Sequence, residues 1–127
     1  MITSVPGSSG YFLGGAITYS NELKEKLLGV DHSTLIKHGA VSEICAVEMA
    51  SGARKAFGSD ISVAITGIAG PGGGTDTKPV GLVWIGISSK KSTFASKYHF
   101  SGDRDSVRRQ AADAAVVLLI FTITEIL

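Results

Sequence analysis

The sequence predicts an α/β layered domain with a mixed sheet. Three observations lead there. Segments with strand and helix character follow one another in the order β, α, α, β, β, β, α. Two apolar runs rich in β-branched residues, "DISVAITG" and "VGLVWIGIS", flank a loop crowded with glycine. Polar capping residues precede the helical stretches, and glycines follow two of them.

The elements can be justified in order. "MITSVPGSSGYFLGG" opens with neither a helix cap nor a strand before the turn at Pro6 and Gly7, as though the chain began inside an element. "GGAITYSN" has the composition of a short strand ended by Asn21. Asn21 can cap a helix through Leu28, with Glu22 at its positive end and Gly29 after its last turn. "VDHSTLIKHGAV" reads as a connector with room for one helical turn. Ser42 caps a helix to Phe57, which carries Ala46, Met49, Ala50, Ala53 and Phe57 on one face and stops at Gly58. "DISVAITG" lacks strict alternation and is expected to be a central strand covered on both faces. After the glycine loop, "VGLVWIGIS" and "TFASKYHF" form two strands joined by a hairpin at "SKKS". Asp103 then caps a helix from Arg104 towards the C-terminus. Its late part, "VVLLIFTITEIL", is apolar on nearly every face and is expected to be buried or at an interface.

Length and composition bound the function. The 127 residues suit one domain, spanning 1–127, with a core that needs no staples. A net charge of +1 without a basic run argues against a nucleic-acid surface. The single cysteine, Cys45, excludes an internal disulfide and a multi-cysteine zinc site, so a reducing, cytoplasmic setting is the expectation. No signal peptide is legible, and the longest apolar run, 114–124, is too short for a bilayer.

The glycine loop is the first candidate for chemistry. Gly70, Gly72, Gly73 and Gly74 leave backbone N–H groups unshielded, so that they can converge on an anion; Pro71 stiffens the approach and Thr75 adds a hydroxyl. The loop leaves a strand end, where α/β sheets commonly bind ligands. It lacks the lysine of a phosphate-binding Walker loop. It also leads through Lys78, Pro79 and Val80 into a strand, not into the helix of a dinucleotide site. An anion-binding wall and a flexible hairpin loop both remain open on these residues alone.

Four stretches in one order add specificity: "PGSSGYFLGGAITYSNELKEKLLGV", "HGAVSE", "AITGIAGPGGGTDTKPVGLVWI" and "SGDRDSVRRQAA". Together they closely resemble the C-terminal domain of the CinA (competence/damage-inducible protein) family, which includes the PncC-type nicotinamide mononucleotide deamidases. The resemblance covers essentially the whole chain. It implies a three-layer α/β/α domain with a mixed sheet. It also implies hydrolysis of the amide of nicotinamide mononucleotide to nicotinic acid mononucleotide and ammonia, without a metal or other cofactor. The family carries an upstream strand and an A-E-S-C-T-G-G motif whose serine is the nucleophile. That motif does not occur here, so the first strand and most of the first helix are expected to be missing.

The resemblance assigns roles that the residues alone would not. Tyr19 and Lys24 in "TYSNELK" match the family's catalytic pair, with Lys24 as base directly or through the Tyr19 hydroxyl. Read without it, Tyr19 is a packing residue at a strand end and Lys24 a solvated helix lysine. Arg104 in "GDRD" matches the family's Gly-Asp-Arg element and is a candidate for a substrate phosphate or carboxylate; a surface arginine there would oppose the helix dipole. One of Arg108 and Arg109 is expected at the sheet edge and the other in water. Ser8 and Ser9 are candidate donors to substrate or, equally, caps of a helical turn. Gly70, Gly72, Gly73, Gly74 and Thr75 become one wall of a mononucleotide pocket. His32, His38 and His99 are too scattered for a metal site, His38 reads as structural, and Cys45 reads as a buried thiol. The expected partner is a small nucleotide substrate, with neither nucleic acid nor membrane. A sheet edge left bare by a missing strand would favour a homo-oligomer. The competing function is a non-catalytic nucleotide-binding or interaction module.

Overall fold

Three strands, β1 (Ile61–Gly67), β2 (Leu82–Ser89) and β3 (Thr93–His99), make one antiparallel sheet in the order β1-β2-β3. Four helices complete the architecture: α1 (Asn21–Leu28), α2 (His32–His38), α3 (Glu43–Phe57) and α4 (Arg104–Ile126). Two single 3-10 turns, Ile2–Ser4 and Ser8–Gly10, come before them. The structure is a computed structural model and describes residues 1–126. Helix α3 lies on one face of the sheet with α1 and α2 packed on its outer side, and α4 lies on the other face, which gives the three layers expected.

Local chemistry sets the helix ends. The Ser42 hydroxyl accepts from Cys45 N at 3.2 Å and starts α3, and Gly58 ends it in the left-handed region at φ 63°. Asp103 accepts from Ser106 N at 2.9 Å and starts α4. The cap of α1 is Ser20, not Asn21: its hydroxyl accepts from Leu23 N at 3.1 Å, and Asn21 is the first helical residue. The connector between α1 and α3 contains a whole helix, α2. Asp31 starts it by accepting from Ser33 N, and this holds the Asp31 carboxyl below its usual range.

The two sheet faces are packed differently. Ser62, Ala64 and Thr66 of β1 face α3 together with Gly86 of β2. A Cβ on Gly86 would lie 2.3 Å from Ala46 O, so α3 touches the sheet backbone directly. A Cβ on Gly52 would lie 1.6 Å from Leu28 O, so α1 approaches α3 as closely. Glycine in a helix interior costs about 1 kcal/mol relative to alanine, and here close packing requires it. On the other face Val83 and Ile85 pack against Val107, Ala111 and Ala115 of α4.

Three expectations are corrected. The sheet is antiparallel throughout, not mixed, among the described residues. Strands β2 and β3 are joined by the tight turn at Ser89–Ser92, and β1 and β2 by a loop without a crossover helix; both connections impose antiparallel pairing. Among the described residues the "GGAITYSN" segment pairs with no strand, and Ile17 and Tyr19 stand 88% and 83% exposed along it. Finally, β1 is an edge strand and β2 is the central one: the missing alternation in "DISVAITG" arises because Val63 and Ile65 face α4 while small residues face α3. Helix α4 runs through the apolar C-terminal segment, where Val117, Ile120 and Phe121 lie exposed, the second of the two placements expected for that stretch being an interface.

Candidate functional site

The candidate residues gather where β1 ends. The glycine loop is closed at its base: Ile68 N donates to Leu82 O at 2.9 Å and Gly81 N to Ile68 O at 2.7 Å. A second closure lies within it, with Thr75 N donating to Lys78 O at 2.8 Å and Lys78 N to the Thr75 hydroxyl at 3.0 Å. Gly74 must be glycine because a Cβ would lie 2.8 Å from Val80 N. The loop is therefore a built turn and not a slack hairpin. Gly72, Gly73 and Thr75 are exposed, and among the described residues no hydrogen bond occupies the N–H groups of Gly72, Gly73 or Gly74.

Arg104 joins this loop to the segment before α1. Its Nη1 donates to Gly70 O at 2.8 Å and its Nη2 to the Tyr19 hydroxyl at 3.3 Å. The Tyr19 oxygen thus accepts a charge-assisted bond and keeps its own proton to donate. Lys24 lies five residues on, in the first turn of α1. It is 7% exposed, and its ammonium donates to Thr18 O at 2.8 Å. The cap at Ser20 turns the chain so that Tyr19 points outward and Lys24 inward. Among the described residues no hydrogen bond joins the Lys24 ammonium to the Tyr19 hydroxyl.

A further lysine belongs to the constellation. The Lys78 ammonium donates to His38 O, at the corner between α2 and α3. Burial pushes the Cys45 thiol up; Lys24 pulls it back, Glu48 adds to the rise and Lys78 opposes it. Both ammonium groups therefore lie within electrostatic reach of the first turn of α3. Among the described residues neither lysine, nor Arg104, pairs with a carboxylate; each is held by neutral oxygens. This end of the sheet carries uncompensated positive charge beside unoccupied backbone donors, which is the chemistry of an anion site.

The remaining candidates lie outside this network. Ser8 is buried in its 3-10 turn, where its carbonyl accepts from Tyr11 N and Phe12 N, and Ser9 is exposed. Gly7, not either serine, precedes that turn, and among the described residues no hydrogen bond links either side chain to Tyr19, Lys24, Arg104 or the loop. Arg108 and Arg109 are both exposed and both turn to Asp105, at 3.9 and 3.0 Å. An apolar groove on the α4 side is lined by Ile65, Ile68, Val83, Val107 and Ala111, with Arg108 at its rim; it contains none of the candidate catalytic residues. Among the described residues no cluster of three or more His, Cys, Asp or Glu side chains could hold a metal, and no helix is long and apolar enough to cross a membrane. Sequence reasoning missed Lys78 as a site residue. The only local signal was its position at the exit of the loop, and its partner lies 40 residues away.

The chain is similar to known proteins over most of its length. Residues 1–123 match the family described as the CinA C-terminal domain. The nicotinamide-nucleotide amidohydrolase PncC of Escherichia coli is 50% identical over 120 residues, which cover 94% of this chain and 73% of that protein. A CinA-like protein of Thermotoga neapolitana is 50% identical over 91% of this chain, which spans 28% of its length. Among solved structures, the competence damage-inducible protein A of Klebsiella pneumoniae superposes with a TM-score of 0.92 at 34% identity, over 97% of this chain and 76% of its own. The competence/damage-inducible protein CihA of Agrobacterium tumefaciens gives 0.90 at 38% identity, over 93% of this chain and 73% of its own. The loop turn, the Arg104 fork and the buried Lys24 are thus features of a chain that belongs to the CinA C-terminal domain family.

Proposed function

We propose that this chain carries the base and the substrate-binding wall of a nicotinamide-nucleotide amidohydrolase site. One observation carries the reading: the Arg104 guanidinium bonds both the Tyr19 hydroxyl and Gly70 O, drawing two segments distant in sequence onto the glycine loop. The amidohydrolase at 50% identity supports the choice of substrate.

The roles follow from the chemistry of amide hydrolysis. A serine oxygen attacks the carboxamide carbon of nicotinamide mononucleotide, and Lys24 is the base that takes its proton, directly or through the Tyr19 hydroxyl. Backbone N–H groups of the loop receive negative charge, on the nucleotide phosphate or on the developing oxyanion. Returning the proton to the leaving nitrogen releases ammonia, and water then cleaves the serine ester to give nicotinic acid mononucleotide. In the family the serine stands in A-E-S-C-T-G-G, which these 127 residues do not contain. Ser8 and Ser9 remain proposed substrate contacts, with no base beside them to make either a nucleophile. The alternative is a nucleotide-binding or interaction module that performs no hydrolysis.

The test is ammonia release from nicotinamide mononucleotide by the 127-residue chain and by the same chain extended through A-E-S-C-T-G-G. The extended form should release ammonia and the short form should not. In the extended form, Tyr19→Phe and Lys24→Ala should each lower the rate by about 100-fold or more. Nucleotide binding without ammonia from either form would favour the module.

A further inference from the structure

We infer that Lys78 is a positioning residue: it clamps the glycine loop to the corner before α3 and so sets where the loop's donors stand. The inference rests on the functional reading above for its ligand, but its geometry stands apart from it.

Lys78 acts through both its backbone and its side chain. Its backbone closes the turn with Thr75, donating to the Thr75 hydroxyl at 3.0 Å and accepting from Thr75 N at 2.8 Å. The Thr75 hydroxyl then accepts from Lys78 and keeps its proton free to donate. The Lys78 side chain leaves the loop and reaches His38 O, across a gap of 40 residues in sequence. That corner is itself anchored. The Thr66 hydroxyl of β1 donates to Ala40 O at 2.8 Å, and the Ser42 hydroxyl donates to Gly39 O at 2.9 Å while capping α3. Lys78 therefore ties an exposed loop to a point fixed by both the sheet and a helix.

The corner is shaped for this contact. Gly39 adopts φ 76°, in the region that favours glycine, and a Cβ there would come within 3.0 Å of the Lys78 ammonium. Arg104 holds the loop's entry at Gly70 O, and Lys78 holds its exit. Between these two points lie Gly72, Gly73 and Gly74, whose amides have no partner among the described residues. A loop with both ends fixed presents those donors at low ordering cost, whereas a loop fixed at one end must be ordered by each ligand that binds.

The experiment compares wild type, Lys78→Met and Lys78→Arg in the 127-residue chain by amide hydrogen exchange, and measures nicotinamide mononucleotide binding by calorimetry. Methionine keeps the apolar stem and removes donor and charge; arginine keeps both. Exchange at the hydrogen-bonded amides of Thr75 and Lys78 should speed up about tenfold or more in Lys78→Met while exchange in β3 stays unchanged, and nucleotide affinity should fall by a similar factor. Lys78→Arg should recover most of both effects. In the extended, ammonia-releasing form, Lys78→Met should raise KM about tenfold with kcat little changed, the mark of lost binding and not of lost chemistry. Unchanged exchange at Thr75 and Lys78 in the methionine variant overturns the inference, as does a uniform rise in exchange across the chain. If neither the wild-type chain nor its extended form binds nicotinamide mononucleotide, the functional reading fails, and exchange alone still decides whether Lys78 holds the loop.

Discussion

The face of the sheet towards α3 and the face towards α4 bury their surfaces by opposite means. Towards α3 the contact is backbone on backbone, permitted by Gly86 and extended outward by Gly52, and side-chain hydroxyls of Ser62 and Thr66 donate to carbonyls across the layer. Towards α4 the contact is branched apolar side chains, Val83 and Ile85 against Val107 and Ala111, and it stays open along β1, where Ile65 is 40% exposed. The first kind of packing fixes position because hydrogen bonds and steric limits are short-ranged. The second excludes water with less demand on exact placement. The two lysines of the candidate site hang from the first, while Arg104 enters from the start of α4. Lys78 reaches the corner that Thr66 anchors, and Lys24 lies buried near the first turn of α3.

The contrast can be broken at its tightest point. Gly86→Ala adds one methyl where a Cβ would meet the Ala46 carbonyl, and should cost about 3 kcal/mol in chemical denaturation. It should also weaken nucleotide binding, since α3 carries the corner that holds the loop. An equal loss of stability with intact binding would show that the site does not depend on this packing. On the same sheet, Ile65→Ala on the open face should cost about 1 kcal/mol, because the side chain is partly in water already. A loss as large as that of Gly86→Ala would mean that the open face is as constrained as the closed one. The smallest effect is expected farthest from both. Phe121→Ser, at a residue 64% exposed on α4, should change stability by no more than about 0.5 kcal/mol. A clear loss would show that the outer half of α4 is covered in solution.

Much of the fold was legible because its signals are local. Ser42 and Gly58 bracket α3 within one turn of each end, and Asp103 starts α4 by the same rule. The hairpin at "SKKS" follows from two apolar strands joined by a short polar turn. Pairing was harder to read. "GGAITYSN" has strand composition, yet a strand exists only where a neighbour supplies its hydrogen bonds, and none does so here. The central position assigned to "DISVAITG" failed for a related reason: small residues on the α3 side and branched ones on the α4 side imitate a strand buried on both faces.

The candidate site divides in the same way. The glycine loop, Tyr19, Lys24 and Arg104 were found as motifs. Their mutual geometry was not, since Arg104 reaches partners 34 and 85 residues away. Ser8 and Ser9 sit in a turn as their composition suggests, but outside the hydrogen-bonded network.

By itself the sequence determined the α/β class, the bounds of α1 and α3 and the start of α4 to within a residue or two, and the set of residue types near the loop. Each of these rests on interactions within a few residues of chain. Only the tertiary structure decided that β1 is an edge, that Arg104 serves Tyr19 and Gly70 together, and that Lys78 binds the His38 carbonyl. Those outcomes depend on which distant groups the packed layers bring within hydrogen-bonding distance, and no local pattern in the chain carries that distance.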